Sequence, residues 1–157
     1  MSKNTMEQKK KRVKKRAGKV VHSMVAQHVT DKAKEIRARY GPDIDYAVIL
    51  QILEDRRCIR YPLEVRFISD GIEPGMFGKT EAVSEDASEG YVVYLHKSFE
   101  DRPDVLPALI LYQSVLVNYG DLATADDAEL FGSTVLGMDR EAYYQQIVAL
   151  TDSLWSD

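Results

Sequence analysis

From Leu106 to Asp121 the chain reads LPALILYQSVLVNYGD, an apolar stretch with Gln113 near its middle and Tyr-Gly-Asp at its close. Asp104 is a candidate N-cap. Pro107 falls in the first turn, where a missing N–H costs nothing, and Gly120 suits the C′ position. The spacing predicts a helix to about Tyr119 that belongs in a core. A core-facing helix would ordinarily carry Leu or Ala where Gln113 stands.

The chain around this helix has 157 residues, 45% of them hydrophobic and 29% charged, which suits one globular domain with a single core. No run approaches the roughly 18 uninterrupted apolar residues of a membrane span. The stretch AGKVVHSMVAQHV near the basic N-terminus is broken by Lys19, His22, Ser23 and Gln27 and makes a poor signal-peptide core. A cytoplasmic location is expected. The single cysteine, Cys58, cannot form an intramolecular disulfide, in keeping with a reducing compartment.

Charge is divided unevenly. Residues 1–19 hold nine Lys or Arg against Glu7 alone, a charge of +8; set against the net −4, this leaves −12 for residues 20–157. The division suggests a flexible basic segment, 1–19, ahead of one globular domain, 20–157. Lys9, Lys10, Lys11, Arg12, Lys14, Lys15 and Arg16 are the candidate nucleic-acid contacts. A solvated tail is the plainer reading, because no aromatic residues interleave with the cations.

Periodicity sets the order of elements. Apolar residues from Val13 to Tyr40, among them Val20, Val21, Met24, His28 and Ile36, recur at helical steps until Gly41-Pro42. Asp43 is a candidate cap for a second helix, IDYAVILQILED. RYPLEVRFIS then alternates Leu63, Val65 and Phe67 with Glu64 and Arg66 as a half-buried strand does; KTEAV and YVVYLHKSF supply two more strands. Thr124 with Asp127 forms a variant capping box for ADDAELFGSTVLGM, and Asp139 caps REAYYQQIVALTDSLW. The expected fold is α+β: a small, mostly antiparallel sheet flanked by N-terminal and C-terminal helices.

A strand-containing half, a helix and then ADDAELFGSTVLGM resembles the minimal zincin metallopeptidases of the ImmA/IrrE group. Asp127, Ala128, Phe131, Gly132, Ser133, Val135 and Leu136 fall on a pattern that this family carries on the helix after its HExxH motif. The resemblance covers about residues 60–138 and implies a zincin-like fold. It also places Tyr112-Gln113-Ser114-Val115-Leu116 where HExxH would lie. Tyr112 and Leu116 cannot bind zinc, and the neutral amide of Gln113 cannot take a proton from water. The resemblance thus implies an emptied metal site with no catalytic residue, no metal and no cofactor. Gln113 then reads either as the remnant of a catalytic glutamate or as an ordinary hydrogen-bonded polar residue.

His96, Gln113, Asp127 and Glu129 are the candidate cleft residues. The expected function is a catalytically inactive zincin-like module that binds an unknown protein or peptide, with an edge strand open to β-augmentation. Two alternatives stand beside it: a nucleic-acid-associated protein using residues 1–19, and a hydrolase built on His96 with the acidic residues Asp121, Asp126, Asp127 and Glu129. His22 and His28, six apart on one helix, face different ways. Cys58 beside Arg56, Arg57 and Arg60 is read as a buried structural thiol, with thiolate activation as the alternative. Tyr143, Tyr144 and Trp155 suggest a homodimer contact, with packing on the domain's own core as the commoner fate of such residues.

Overall fold

The computed structural model describes residues 2–156, and for residues 2–7 and 13–17 the backbone alone. Five α-helices and three strands follow in the order α1 (Ser2–Tyr40), α2 (Tyr46–Glu54), β1 (Leu63–Ile68), β2 (Gly78–Ala82), β3 (Tyr91–His96), α3 (Leu106–Tyr119), α4 (Ala125–Leu136) and α5 (Arg140–Trp155). The fold is α+β, with helices before and after the sheet as expected. No helix among the described residues is long and apolar enough to cross a membrane.

The helix expected from about Val13 begins at Ser2 and so includes the basic block. Among the described residues its C-terminal half enters the core: Val25, Val29, Ala33 and Ile36, at steps of four and three, form a buried stripe against α4. Val20, Val21 and Met24 have the helical period but lie exposed, Met24 at 66%. Arg37 ties the end of this helix to α4 by donating Nη1–H to the Val135 carbonyl at 3.2 Å. Its guanidinium lies over Gly137, which holds φ +68° and leaves no room for a Cβ.

The sheet has strand order β1-β3-β2. It is mixed: β3 pairs antiparallel with β2 and parallel with β1, Val65 standing opposite Val93 and Phe67 opposite Leu95. The expectation of a mostly antiparallel sheet is therefore corrected. After β1 the chain passes to the far edge and β3 returns between the two earlier strands, so the β1–β3 pairing is long-range and parallel. Leu63, Val65, Phe67, Val93 and Leu95 share one face and join the core, while Glu64 and Arg66 pair on the other at 3.0 Å. β3 is shorter than expected, because Lys97–Phe99 turns into a 3-10 helix.

α3 lies at the centre, with ten of its fourteen residues buried. α4, α5, α2 and the sheet all pack on it. Its first turn has no side-chain cap: the N-cap is Val105, and Asp104 pairs instead with Arg102 at 3.4 Å. Pro107 and Gly120 take their expected places. Asp45 rather than Asp43 caps α2, accepting from Val48 N–H at 2.9 Å. Thr124 and Asp127 form the expected capping box, and Asp139 caps α5. Tyr143 passes into the core beside Gly132 and donates its hydroxyl to the Ala108 carbonyl at 2.7 Å. A Cβ at Gly132 would collide with that hydroxyl.

Candidate functional site

The edge strand β2 and the middle of α3 enclose a cavity of about 350 Å³. Backbone geometry decides what β2 offers it. His96 N–H donates to the Phe77 carbonyl and Val83 N–H to the Gly90 carbonyl, bracketing the antiparallel ladder. Hydrogen-bonded pairs alternate along such a ladder, so residues 77, 79, 81 and 83 bond toward β3. Thr80 and Ala82 accordingly turn their N–H and C=O groups to the open edge; Gly78 alternates the same way but is buried. Gly78 is required by close approach, since a Cβ there would lie 2.5 Å from the Tyr94 carbonyl oxygen.

Thr80 projects its side chain onto α3 and donates Oγ1–H to Gln113 Oε1 at 2.7 Å. Gln113 is only 4% exposed. No fully buried side-chain nitrogen or oxygen among the described residues lacks a partner, so the Gln113 Nε2 group, which makes no protein hydrogen bond among them, opens onto the cavity. Tyr112 and Leu116 line the same cavity, Tyr112 standing edge-on to Phe77 at 5.5 Å. Burial, with Glu129 and then Tyr144 nearby, raises the Tyr112 pKa above its ordinary value. From α4 come Ala125 and Ala128, and from its N-cap Thr124. Met76 forms part of the rim and is held by the Trp155 indole, which donates to its carbonyl at 2.7 Å.

Three of the four candidate cleft residues lie outside this arrangement. His96 caps the 3-10 turn, its Nδ1 accepting from Ser98 N–H at 3.1 Å. Asp127 spends its carboxylate on the Thr124 N–H at 2.9 Å. Glu129 lies 3.6 Å from Arg140, which also holds Asp126 at 3.1 Å. Gln113 alone lines the cavity; Thr80 and Thr124 join it, the latter known from the sequence only as a cap. No His, Cys, Asp or Glu is among the lining residues, and no group of three or more such residues converges elsewhere among the described ones. The lining does not fit zinc, which needs imidazole, thiolate or carboxylate donors.

Lys9, Lys10, Lys11 and Arg12 are exposed on α1, while the side chains of Lys14, Lys15 and Arg16 lie outside the described residues. Cys58 is buried; desolvation first, and Asp55 second, raise its pKa despite Arg39 and so disfavour the thiolate. Tyr143 belongs to the domain's own core and is lost to any homodimer surface, leaving Tyr144 and Trp155 about two-fifths exposed. Comparison with family models, with curated proteins and with solved structures finds no match to the chain.

Proposed function

We propose that this chain is a catalytically inactive zincin-like domain that binds an extended peptide along β2, over the cavity lined by Gln113. The observation that carries the reading is that Tyr112, Gln113 and Leu116, the positions set against HExxH, line one cavity directly beside an edge strand with an unpaired backbone. An incoming strand would pair with the outward groups of Thr80 and Ala82, and alternate side chains would drop toward Leu116, Met76 and the Gln113 amide. Hydrolysis finds no support in this lining, which offers neither a carboxylate nor an imidazole as a base.

The test is selection of a displayed library of random unstructured peptides on the full chain, followed by affinity measurement on variants. Ala82→Pro removes an outward N–H from the edge and leaves the ladder to β3 intact. Leu116→Arg places a charge in the groove. Selected peptides are expected to lose about tenfold in affinity with either change, the size of one or two lost contacts. Binders indifferent to both variants, or no enrichment, would contradict the reading.

A further inference from the structure

On α1, beside the loop after α2, the molecule holds a second site of opposite character. A cavity of about 290 Å³ is lined by Lys32, Arg56, Arg57 and Arg60 together with His28 and Asn118. It continues, through His28, Arg60, Asn118 and Tyr119, into a groove of about 560 Å³ lined by Met24, Tyr61, Tyr91 and Leu122 among others. No carboxylate lines either space, although residues 20–157 carry a net charge of −12. Cations have been gathered here against the overall charge of the domain.

These cations have different commitments. Arg56 is braced on the Leu53 and Ile59 carbonyls at 2.9 and 3.2 Å. Lys32 donates to the Arg57 carbonyl at 2.8 Å and touches Glu35. Arg57 gives Nε and Nη2 to Asp55, leaving Nη1. The exposed Arg60 guanidinium makes no hydrogen bond among the described residues and lies 5.2 Å from the Tyr61 ring centroid. Tyr61 leans on Tyr91 with centroids 6.0 Å apart and an interplanar angle of 38°. Tyr119 stands edge-on to His28, its hydroxyl 2.9 Å from Nδ1. The result is a cationic pocket next to a wall of aromatic rings.

Phosphate matches the pocket, and a planar base matches the tyrosines. Helix α1 extends the same surface: Lys10 lies five turns before His28, hence on the same line of the helix about 27 Å away, with Lys9, Lys11 and Arg12 exposed around it. We propose that the two joined cavities bind single-stranded nucleic acid, phosphates at Lys32, Arg57 and Arg60 and bases against Tyr61 and Tyr91, with the strand continuing along the basic turns of α1. This site is separate from the β2 groove and does not depend on the peptide reading.

The experiment is fluorescence anisotropy of the full chain with labelled 15-nucleotide oligo(dT) and oligo(U) at about 50 and 200 mM KCl, with polyglutamate and a mononucleotide as competitors. Binding is expected at the lower salt and to weaken by at least about tenfold at the higher. Arg60→Glu and Tyr61→Ala should each lower affinity by about tenfold, in keeping with loss of one phosphate contact or one stacked base. The Arg60 guanidinium is exposed and makes no hydrogen bond among the described residues, so its variant keeps the test valid if Tyr61→Ala fails to fold. No binding at the lower salt, binding that Arg60→Glu leaves unchanged, polyglutamate competing as well as the strand, or a mononucleotide binding as tightly as the strand would each overturn the proposal.

Discussion

Thr80 on the edge strand and Gln113 in the central helix are joined by one 2.7 Å hydrogen bond, which fixes the amide oxygen of a nearly buried glutamine and leaves its nitrogen facing the cavity. Thr80→Val therefore strands a buried acceptor and should cost about 1–2 kcal/mol in urea unfolding at neutral pH. Combining it with Gln113→Leu removes both polar partners and should recover part of that loss. Strictly additive losses would mean that the two side chains are not coupled.

Gly132 and Tyr143 offer a test of packing. Gly132→Ala forces a methyl against the buried Tyr143 hydroxyl between α4 and α3 and should destabilise the fold by about 1–3 kcal/mol. Gly18→Ala is the control: a Cβ there meets nothing within 4 Å among the described residues, and a helical Gly→Ala change at so open a position should be neutral or stabilise by up to about 1 kcal/mol. Thermal denaturation of the two variants should move in opposite directions or leave the control unmoved.

Asp55 sets an acid limit on stability. Arg57 first, and the Tyr40 hydroxyl second, hold its carboxyl well below the ordinary carboxylate range. A lowered folded-state pKa stabilises the fold above the unfolded value near 4, and this contribution is lost as pH falls from there toward the folded value. Asp55→Asn should be less stable at pH 7, and its urea midpoint should fall less between pH 5 and pH 2.5 than that of the parent. At the alkaline end Tyr119, raised to about 12 by burial and then by Asp127, resists ionisation in the fold. That contribution is present below the unfolded value near 10 and fades as pH rises toward 12.

Zinc should not bind stoichiometrically. Native mass spectrometry of untagged protein, before and after zinc addition, is expected to give the metal-free mass, because the cavity beside Gln113 supplies no imidazole, thiolate or carboxylate. One retained zinc per chain would show that another set of ligands forms in solution.

Local chemistry made much of this architecture legible. The capping box of Thr124 and Asp127, the Asp139 cap, Pro107 in the first turn of α3 and the alternation of Leu63, Val65 and Phe67 all describe what neighbouring residues do to one another, and they reappear in the fold. Decisions between near-equal local choices were less legible. Asp45 wins over Asp43 because it stands three residues before Val48, within reach of its N–H. Asp104 turns to Arg102 instead of capping α3.

What depends on long-range pairing was hidden. Alternation along β1 says which side chains face inward, but not that β3 lies beside it in parallel. The apolar period of α1 continues through Val20, Val21 and Met24 although no element covers them among the described residues. Gln113 could be singled out from its apolar surroundings. Its partner Thr80 lies 33 positions away on a strand that no local signal aligns with α3. The cationic pocket drew attention only as arginines near Cys58, since Lys32 and His28 join it through the packing of α1.

The most direct test of the peptide-binding reading is residue-resolved amide hydrogen exchange by NMR on the full chain, with and without a library-selected peptide. The outward amides of Thr80 and Ala82 are predicted to slow at least about tenfold on binding, while those of Lys79 and Glu81, already directed toward β3, change little. Protection confined to other parts of the molecule, with Thr80 and Ala82 exchanging as before, would contradict the assignment of β2 and the Gln113 cavity as the binding site.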